Sequence, residues 1–114
     1  MALGKTAVVI LDRAGLKERV LANVTVYGAT VKQLALYVAE GNVDAAIIAR
    51  NDVFQFKDRV NMIPIPDEYI EVETVPVAVL TTATDLQAAV ALRDFLSSPE
   101  AINVFEDFGF LPLK

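Results

Sequence analysis

Short apolar runs rich in β-branched residues alternate along this chain with segments of helical periodicity. Four such runs, at residues 24–27, 45–49, 60–64 and 75–80, predict strands. Strands buried on both faces are continuous apolar runs, and their alternation with helices is typical of α/β domains with a mainly parallel sheet. The sequence therefore predicts one three-layer α/β lobe, in which helices flank a mainly parallel sheet.

Capping residues mark where the predicted helices begin and end. Thr30-Val31-Lys32-Gln33 and Thr84-Asp85-Leu86-Gln87 have the spacing of a capping box, and Ser98-Pro99-Glu100 places a favoured N-cap before a favoured first residue. Glycine follows three helical segments, where its tolerance of positive φ suits a C-cap. The sequence predicts helices that open at Gly4, Leu16, Thr30, Thr84 and Ser98, with Gly15, Gly41 and Gly109 beyond three of their ends.

Composition excludes several classes of function. The 114 residues contain no Cys and no His, which removes disulfides, thiolate or imidazole metal ligands and the Ser-His-Asp relay. Ten basic residues face fifteen acidic ones, and the two short basic clusters are interleaved with acids, which argues against nucleic acid. We expect no enzyme, metal site or cofactor. The apolar runs are far shorter than the ~20 residues of a membrane span, and we expect no secretory signal in these residues.

Three places could bind an anion, and each has a plainer interpretation. Gly4-Lys5-Thr6 resembles the tail of a phosphate-binding loop, yet an ordinary helix start explains it as well. The helix starts at residues 4–7 and 30–33 carry free N–H groups and the positive dipole end, as every helix start does. Arg50 follows a predicted strand, where ligands bind in open α/β sheets, but it could equally pair with Asp52 or Asp44.

Five stretches appear in an order that points to one family. They are GNVDAAII at 41–48, IPIPDE at 63–68, VPVAV at 75–79, FLSSPEA at 95–101 and FGF at 108–110. The series, over residues 2–111, resembles the second half of molybdate- or tungstate-type solute-binding proteins of ABC importers, which have the type 2 periplasmic-binding fold. The resemblance implies a second-lobe core at residues 1–80 and return helices at residues 81–114, which in the family complete the first lobe.

The resemblance also implies a ligand site. The family's backbone contact at the first lobe-two helix falls on Leu3, followed by Gly4, and a second backbone contact falls on Val31, with Thr30 as its cap. A third contact, a Tyr in many members, falls on Ala49, next to Arg50. These residues would bind an oxyanion such as molybdate or tungstate, for delivery to an ABC permease, at an extracytoplasmic location.

A second interpretation assigns the chain the same fold but no role in capturing a solute. The chain would then be a non-catalytic interaction module that has lost anion binding and self-associates. A homodimer through the C-terminal helices would cover Phe95, Phe105 and Phe108, whose apolar rings need burial.

Overall fold

The structure is a computed structural model that describes residues 2–113. Helices are the regular elements in this part of the chain, and they fall into two compact units, residues 1–72 and 73–114. The first unit contains α1 (Ala2–Arg13), α2 (Lys17–Leu21), α3 (Val31–Ala39), α4 (Arg50–Phe54) and a 3₁₀ helix (Asp67–Tyr69). The second contains α5 (Leu86–Leu96) and α6 (Pro99–Asp107).

The capping residues position the helices much as predicted. Thr30 Oγ1 accepts a hydrogen bond from the Gln33 N–H at 3.2 Å, and Ser98 Oγ accepts one from the Ala101 N–H at 3.3 Å. The helix predicted from Thr84 is capped instead by Asp85, whose Oδ1 accepts from the Ala88 N–H at 2.9 Å. Asp85 is one residue closer to the helix than Thr84. Its carboxylate complements the helix dipole more strongly than a threonine hydroxyl does.

Two local predictions in the first unit differ from the structure. The helix predicted to open at Gly4 begins at Ala2, so Leu3 and Gly4 both lie in its first turn. The polar stretch at Arg50 is a five-residue helix rather than a turn. Helix ends agree better, because Gly15 and Gly41 adopt φ of +67° and +75°, a conformation that ends a helix and suits glycine.

The predicted sheet is not present among residues 2–113, where the structure contains no β-strand. The runs at 24–27, 45–49, 60–64 and 75–80 are irregular segments that make no strand ladder. A strand exists only when a second segment lies alongside it at about 4.8 Å, and intrinsic β propensity alone does not supply that neighbour. The expectation of a mainly parallel sheet in this chain is therefore corrected.

The first unit has a small core. Ile10 of α1 and Ala35 of α3 are buried, with 6% and 1% of their surface exposed. Helix α1 contacts α2 and the 3₁₀ helix, and α3 contacts α4. Arg59 Nη2 donates to the Ala39 carbonyl at 3.4 Å and so satisfies an acceptor at the end of α3.

The second unit is built on the contact between α5 and α6. Ala101 is buried at 6% exposure, and the rings of Phe105 and Phe110 meet edge to face with centroids 5.8 Å apart. Large apolar side chains of both helices and of the C-cap residue of α6 stay exposed: Leu86, Leu92, Phe95, Val104, Phe105 and Phe108. The chain passes from the first unit to the second between residues 72 and 73. The lobe boundary predicted at residue 80 concerns the family's architecture and stays a prediction.

Candidate functional site

An open groove of about 840 Å³ runs through the first unit. Leu3 and Gly4 line it from the first turn of α1, together with Ala7, Val8 and Leu11 further along that helix. Residues 24–28 and 42–47 form other parts of its lining, with Leu34 from α3. The groove is mainly apolar, and backbone amides at a helix start are the polar groups that α1 can offer to it.

The first turn of α1 carries amides without acceptors inside the helix. The first four N–H groups of any α-helix lack intrahelical partners, and Leu3 and Gly4 fall in that set. No acidic side chain lies in this turn to neutralise the positive end of the dipole. A negative group at this end of the groove would therefore be stabilised by fixed dipoles.

The side chains of Thr30 and Gln33 each accept a backbone hydrogen bond at the start of α3. Thr30 caps the helix through the Gln33 amide, and Gln33 Oε1 accepts in return from the Ala29 N–H at 3.1 Å. In a standard capping box the returning bond reaches the N-cap amide itself, whereas here it reaches the residue before it. The two hydrogen bonds of this cap therefore use the Ala29 and Gln33 amides and not those of Thr30 and Val31.

The third predicted position lies at the start of α4. Ala49 is the N-cap of this helix, and its carbonyl accepts from the Asp52 and Val53 amides at 3.1 Å and 3.3 Å. Arg50 is the first residue of the helix. Alanine has no side-chain acceptor, so α4 begins without a side-chain cap.

The structure brings part of the predicted set together. Leu3 and Gly4 line the groove. Gly28, before the start of α3, and Leu34, in the first turns of that helix, line it as well. Within residues 2–113, the groove lining does not include Thr30, Val31, Ala49 or Arg50, although α3 and α4 are in contact.

Sequence reasoning missed Gly28 and Leu34 as groove residues. Their positions around the Thr30 cap could have indicated this contact, because Gly28 lies two residues before Thr30 and Leu34 lies about one helical turn after it. A glycine in that place permits close approach of a helix side chain.

The groove lining also includes residues with polar side chains, among them Arg19, Asn23, Asn42 and Asp44. Among residues 2–113, no group of three or more Asp and Glu side chains is arranged to hold a metal ion. No helix in the described residues is long and apolar enough to cross a membrane. The acidic residues near the 3₁₀ helix are solvated, and Glu71 there pairs with Arg13 at 2.7 Å.

Comparison with known proteins places the chain in a family. A model of bacterial extracellular solute-binding proteins matches residues 1–111. A Haemophilus influenzae protein, whose name assigns it an inferred binding role, is 38% identical over 114 residues, which is the whole of this chain and 46% of that protein. An inferred ABC transporter substrate-binding lipoprotein of Bacillus subtilis, YvgL, is 33% identical over 75% of this chain and 33% of its own length.

The name of a third relative states which ligand that protein binds. The molybdate-binding protein ModA of Azotobacter vinelandii is 29% identical over 94% of this chain and 43% of its own length. The chain thus spans less than half the length of these three relatives. No solved structure matches it significantly. Because the family match extends over nearly every residue, this chain belongs to the bacterial extracellular solute-binding protein family.

Proposed function

We propose that this chain is part of the solute-capture component of an ABC importer, and that its ligand is an oxyanion of the molybdate or tungstate type. The observation that carries the proposal is the family match along residues 1–111. The relationship to ModA, at 29% identity, supports the choice of oxyanion. Capture needs no bond chemistry, in agreement with a family of binding proteins rather than enzymes.

The proposed contacts are backbone amides at two helix starts. Leu3 and Gly4 would donate from the first turn of α1, and Val31 would donate from the first turn of α3, where Thr30 fixes the backbone. Fixed N–H dipoles hold a doubly charged oxyanion without protonating it and without a counter-charge. Ala49 and Arg50 would complete the site from the start of α4.

The importer role implies a place and a partner. A binding protein delivers its solute to a membrane permease from outside the cytoplasm, and the family description as extracellular supports that location. The partner would be an ABC permease, as the name of the Bacillus subtilis relative suggests for that protein.

Anion binding is tested by titrating the 114-residue chain with molybdate, tungstate, sulfate and phosphate. At an anion concentration about ten times the Kd, linkage adds about 1.4 kcal/mol to the stability of the folded state, equivalent to a rise in Tm of about 5 °C. We expect this rise with molybdate or tungstate, accompanied by amide shifts of Leu3, Gly4 and Val31 in nitrogen-15 NMR spectra. Equal effects of all four anions, or amide shifts elsewhere in the chain, would contradict the site.

A matched pair of variants tests the backbone contact at Val31. Val31 is the first residue of α3, where proline is favoured and an N–H is not needed by the helix. Thr30 has φ −132° and ψ 157°, which suits a residue before proline. We expect Val31→Pro to weaken anion binding about tenfold, on the order of one charge-assisted hydrogen bond, and Val31→Ala to leave it unchanged. Equal affinities of the two variants would exclude the Val31 amide.

The alternative proposal is a non-catalytic interaction module that has lost anion binding and forms a homodimer. The observation in its favour is the exposure of Phe95, Phe105 and Phe108, which are 50%, 41% and 59% exposed on α5 and at the end of α6. Light scattering separates the two functions. A dimer that ignores all four anions favours the module, and Phe95→Ser with Phe108→Ser should then return it to a monomer.

A further inference from the structure

Tyr27 combines an anchored backbone with an exposed side chain. The next residue, Gly28, packs directly against the side chain of Leu34. The Ala29 N–H donates to Gln33 Oε1 at 3.1 Å. These two contacts hold the chain that follows Tyr27 against α3, whereas Tyr27 itself is 81% exposed. An aromatic residue that is fixed in place but left uncovered is suited to contact a ligand.

Tyr27 lines the same groove as the first turn of α1. The Leu16 N–H donates to the Leu11 carbonyl at 2.9 Å, so the chain turns back at the far end of that helix. After α2, residues 24–28 return along the groove that α1 lines from its first turn onward. Because the returning segment leads from the far end of α1 to the start of α3, its last residues bring Tyr27 toward the helix starts.

The hydroxyl of Tyr27 is a donor that the described part of the chain does not use, since no hydrogen bond joins it to another described residue. Two other donors of the groove lining are engaged within the chain. Asn23 Nδ2 donates to the Arg19 carbonyl at 2.7 Å, and Asn42 Nδ2 donates to Glu40 Oε2 at 3.3 Å. A phenolic hydroxyl donates to an anion without carrying a charge of its own.

We propose that Tyr27 is a further ligand-binding residue of this chain, whose hydroxyl donates a hydrogen bond to the bound oxyanion. The inference rests on the proposed capture of an oxyanion by the amides of Leu3, Gly4 and Val31. A tetrahedral oxyanion has acceptor oxygens on every side, and backbone amides at two helix starts leave some of them without a donor. Ala49 has no side-chain donor to supply, whereas Tyr27 has one. A hydrogen bond from a hydroxyl to an anion is about twice as strong as one to a neutral acceptor.

The test is an NMR titration of the 114-residue chain with sodium tungstate. Tyr27→Phe removes only an exposed hydroxyl, and we expect it to raise the Kd about tenfold. Tyr37→Phe is the matched control, because Tyr37 lies within α3 and the described lining of the groove does not include it. Its Kd should stay within twofold of the unchanged chain. Tungstate should also shift the carbon-13 signal of Tyr27 Cζ, the atom bonded to the hydroxyl, and leave that of Tyr37 in place.

The outcomes separate this contact from the capture on which it rests. If Tyr27→Phe binds tungstate as tightly as the unchanged chain, the Tyr27 contact is overturned and the amide site stands. Equal losses of affinity in Tyr27→Phe and Tyr37→Phe would also overturn it, because the effect would then not depend on the groove. If the Leu3, Gly4 and Val31 amides of the unchanged chain do not respond to tungstate, oxyanion capture itself is overturned, and the Tyr27 contact with it.

Discussion

Gly28 lies directly against the side chain of Leu34. A Cβ at residue 28 would stand 2.7 Å from both Cγ and Cδ2 of Leu34 and 3.2 Å from the Thr30 carbonyl oxygen. Both residues line the groove of the first unit. The close approach fixes how the segment before α3 meets its first turn, so the shape of the groove depends on the absence of a side chain at Gly28.

Gly28→Ala should destabilise the protein by about 1–3 kcal/mol, the usual cost of overpacking, because Leu34 must leave its position. Adding Leu34→Ala should recover a large part of that loss, since the clash is removed. Urea unfolding of the two single variants and the double variant measures this coupling, which should exceed about 0.5 kcal/mol.

Gly4→Ala is the matched control for Gly28→Ala. Nothing lies within 4 Å of a Cβ at Gly4, and the residue is in a helix. Alanine should therefore raise stability by about 0.5–1 kcal/mol through its higher helix propensity. Equal destabilisation at both glycines would contradict the specific contact with Leu34.

Thr30→Ala should cost about 1 kcal/mol, because the Gln33 amide loses its acceptor at the start of α3. Thr30→Ser keeps the hydroxyl and should cost little. Hydrogen exchange at the Gln33 amide provides the local measurement, and it should accelerate in Thr30→Ala alone. Similar exchange in both variants would show that the cap does not protect this amide.

The ion pair between Arg13 and Glu71 links residues 58 positions apart at 2.7 Å. Their side chains are 40% and 85% exposed, so solvent screening should limit the coupling to about 0.2–1 kcal/mol. A double-mutant cycle with Arg13→Ala and Glu71→Ala measures it, and added salt should reduce it. The Lys17–Asp12 pair, at 3.6 Å, is the control and should couple less. A salt-independent coupling above about 2 kcal/mol would contradict the exposed geometry.

Ala49→Tyr should tighten oxyanion binding about tenfold, equivalent to one hydrogen bond to a charged acceptor. The reason is the resemblance to molybdate-type binding proteins, in which many members have a Tyr hydroxyl at this position. Ala49→Phe supplies the same ring without the hydroxyl and should leave affinity unchanged. Titration calorimetry compares the two, and equal affinities would remove Ala49 from the proposed site.

Local hydrogen-bonding signals explain which helices could be predicted. Ser98 and Thr30 cap helices through amides three residues later, and Gly41 ends α3 through its positive φ. Each signal acts within a few residues, so the sequence is sufficient to specify it. Helix α4 was not predicted, because its N-cap residue, Ala49, has no side chain that could form a capping hydrogen bond.

The strands and the site depend on non-local relationships. The runs at 24–27 and 75–80 have strand composition, but a ladder needs a neighbour that composition does not identify. Leu3 and Gly4 were placed as candidates by family resemblance, and their position on the groove comes from the path of α1 past residues 24–28. Family membership could be inferred from the ordered stretches because several short matches in sequence are specific together.

Pro76 limits how far strand pairing at residues 75–80 can spread. A fibril grows only when every strand is hydrogen-bonded both above and below, so both edges must be complete. Residues 75–80 otherwise have the uncharged, β-branched character of an aggregation-prone segment. Because Pro76 interrupts one edge of this segment, strands cannot pair fully along both of its edges, and propagation into a cross-β stack is blocked.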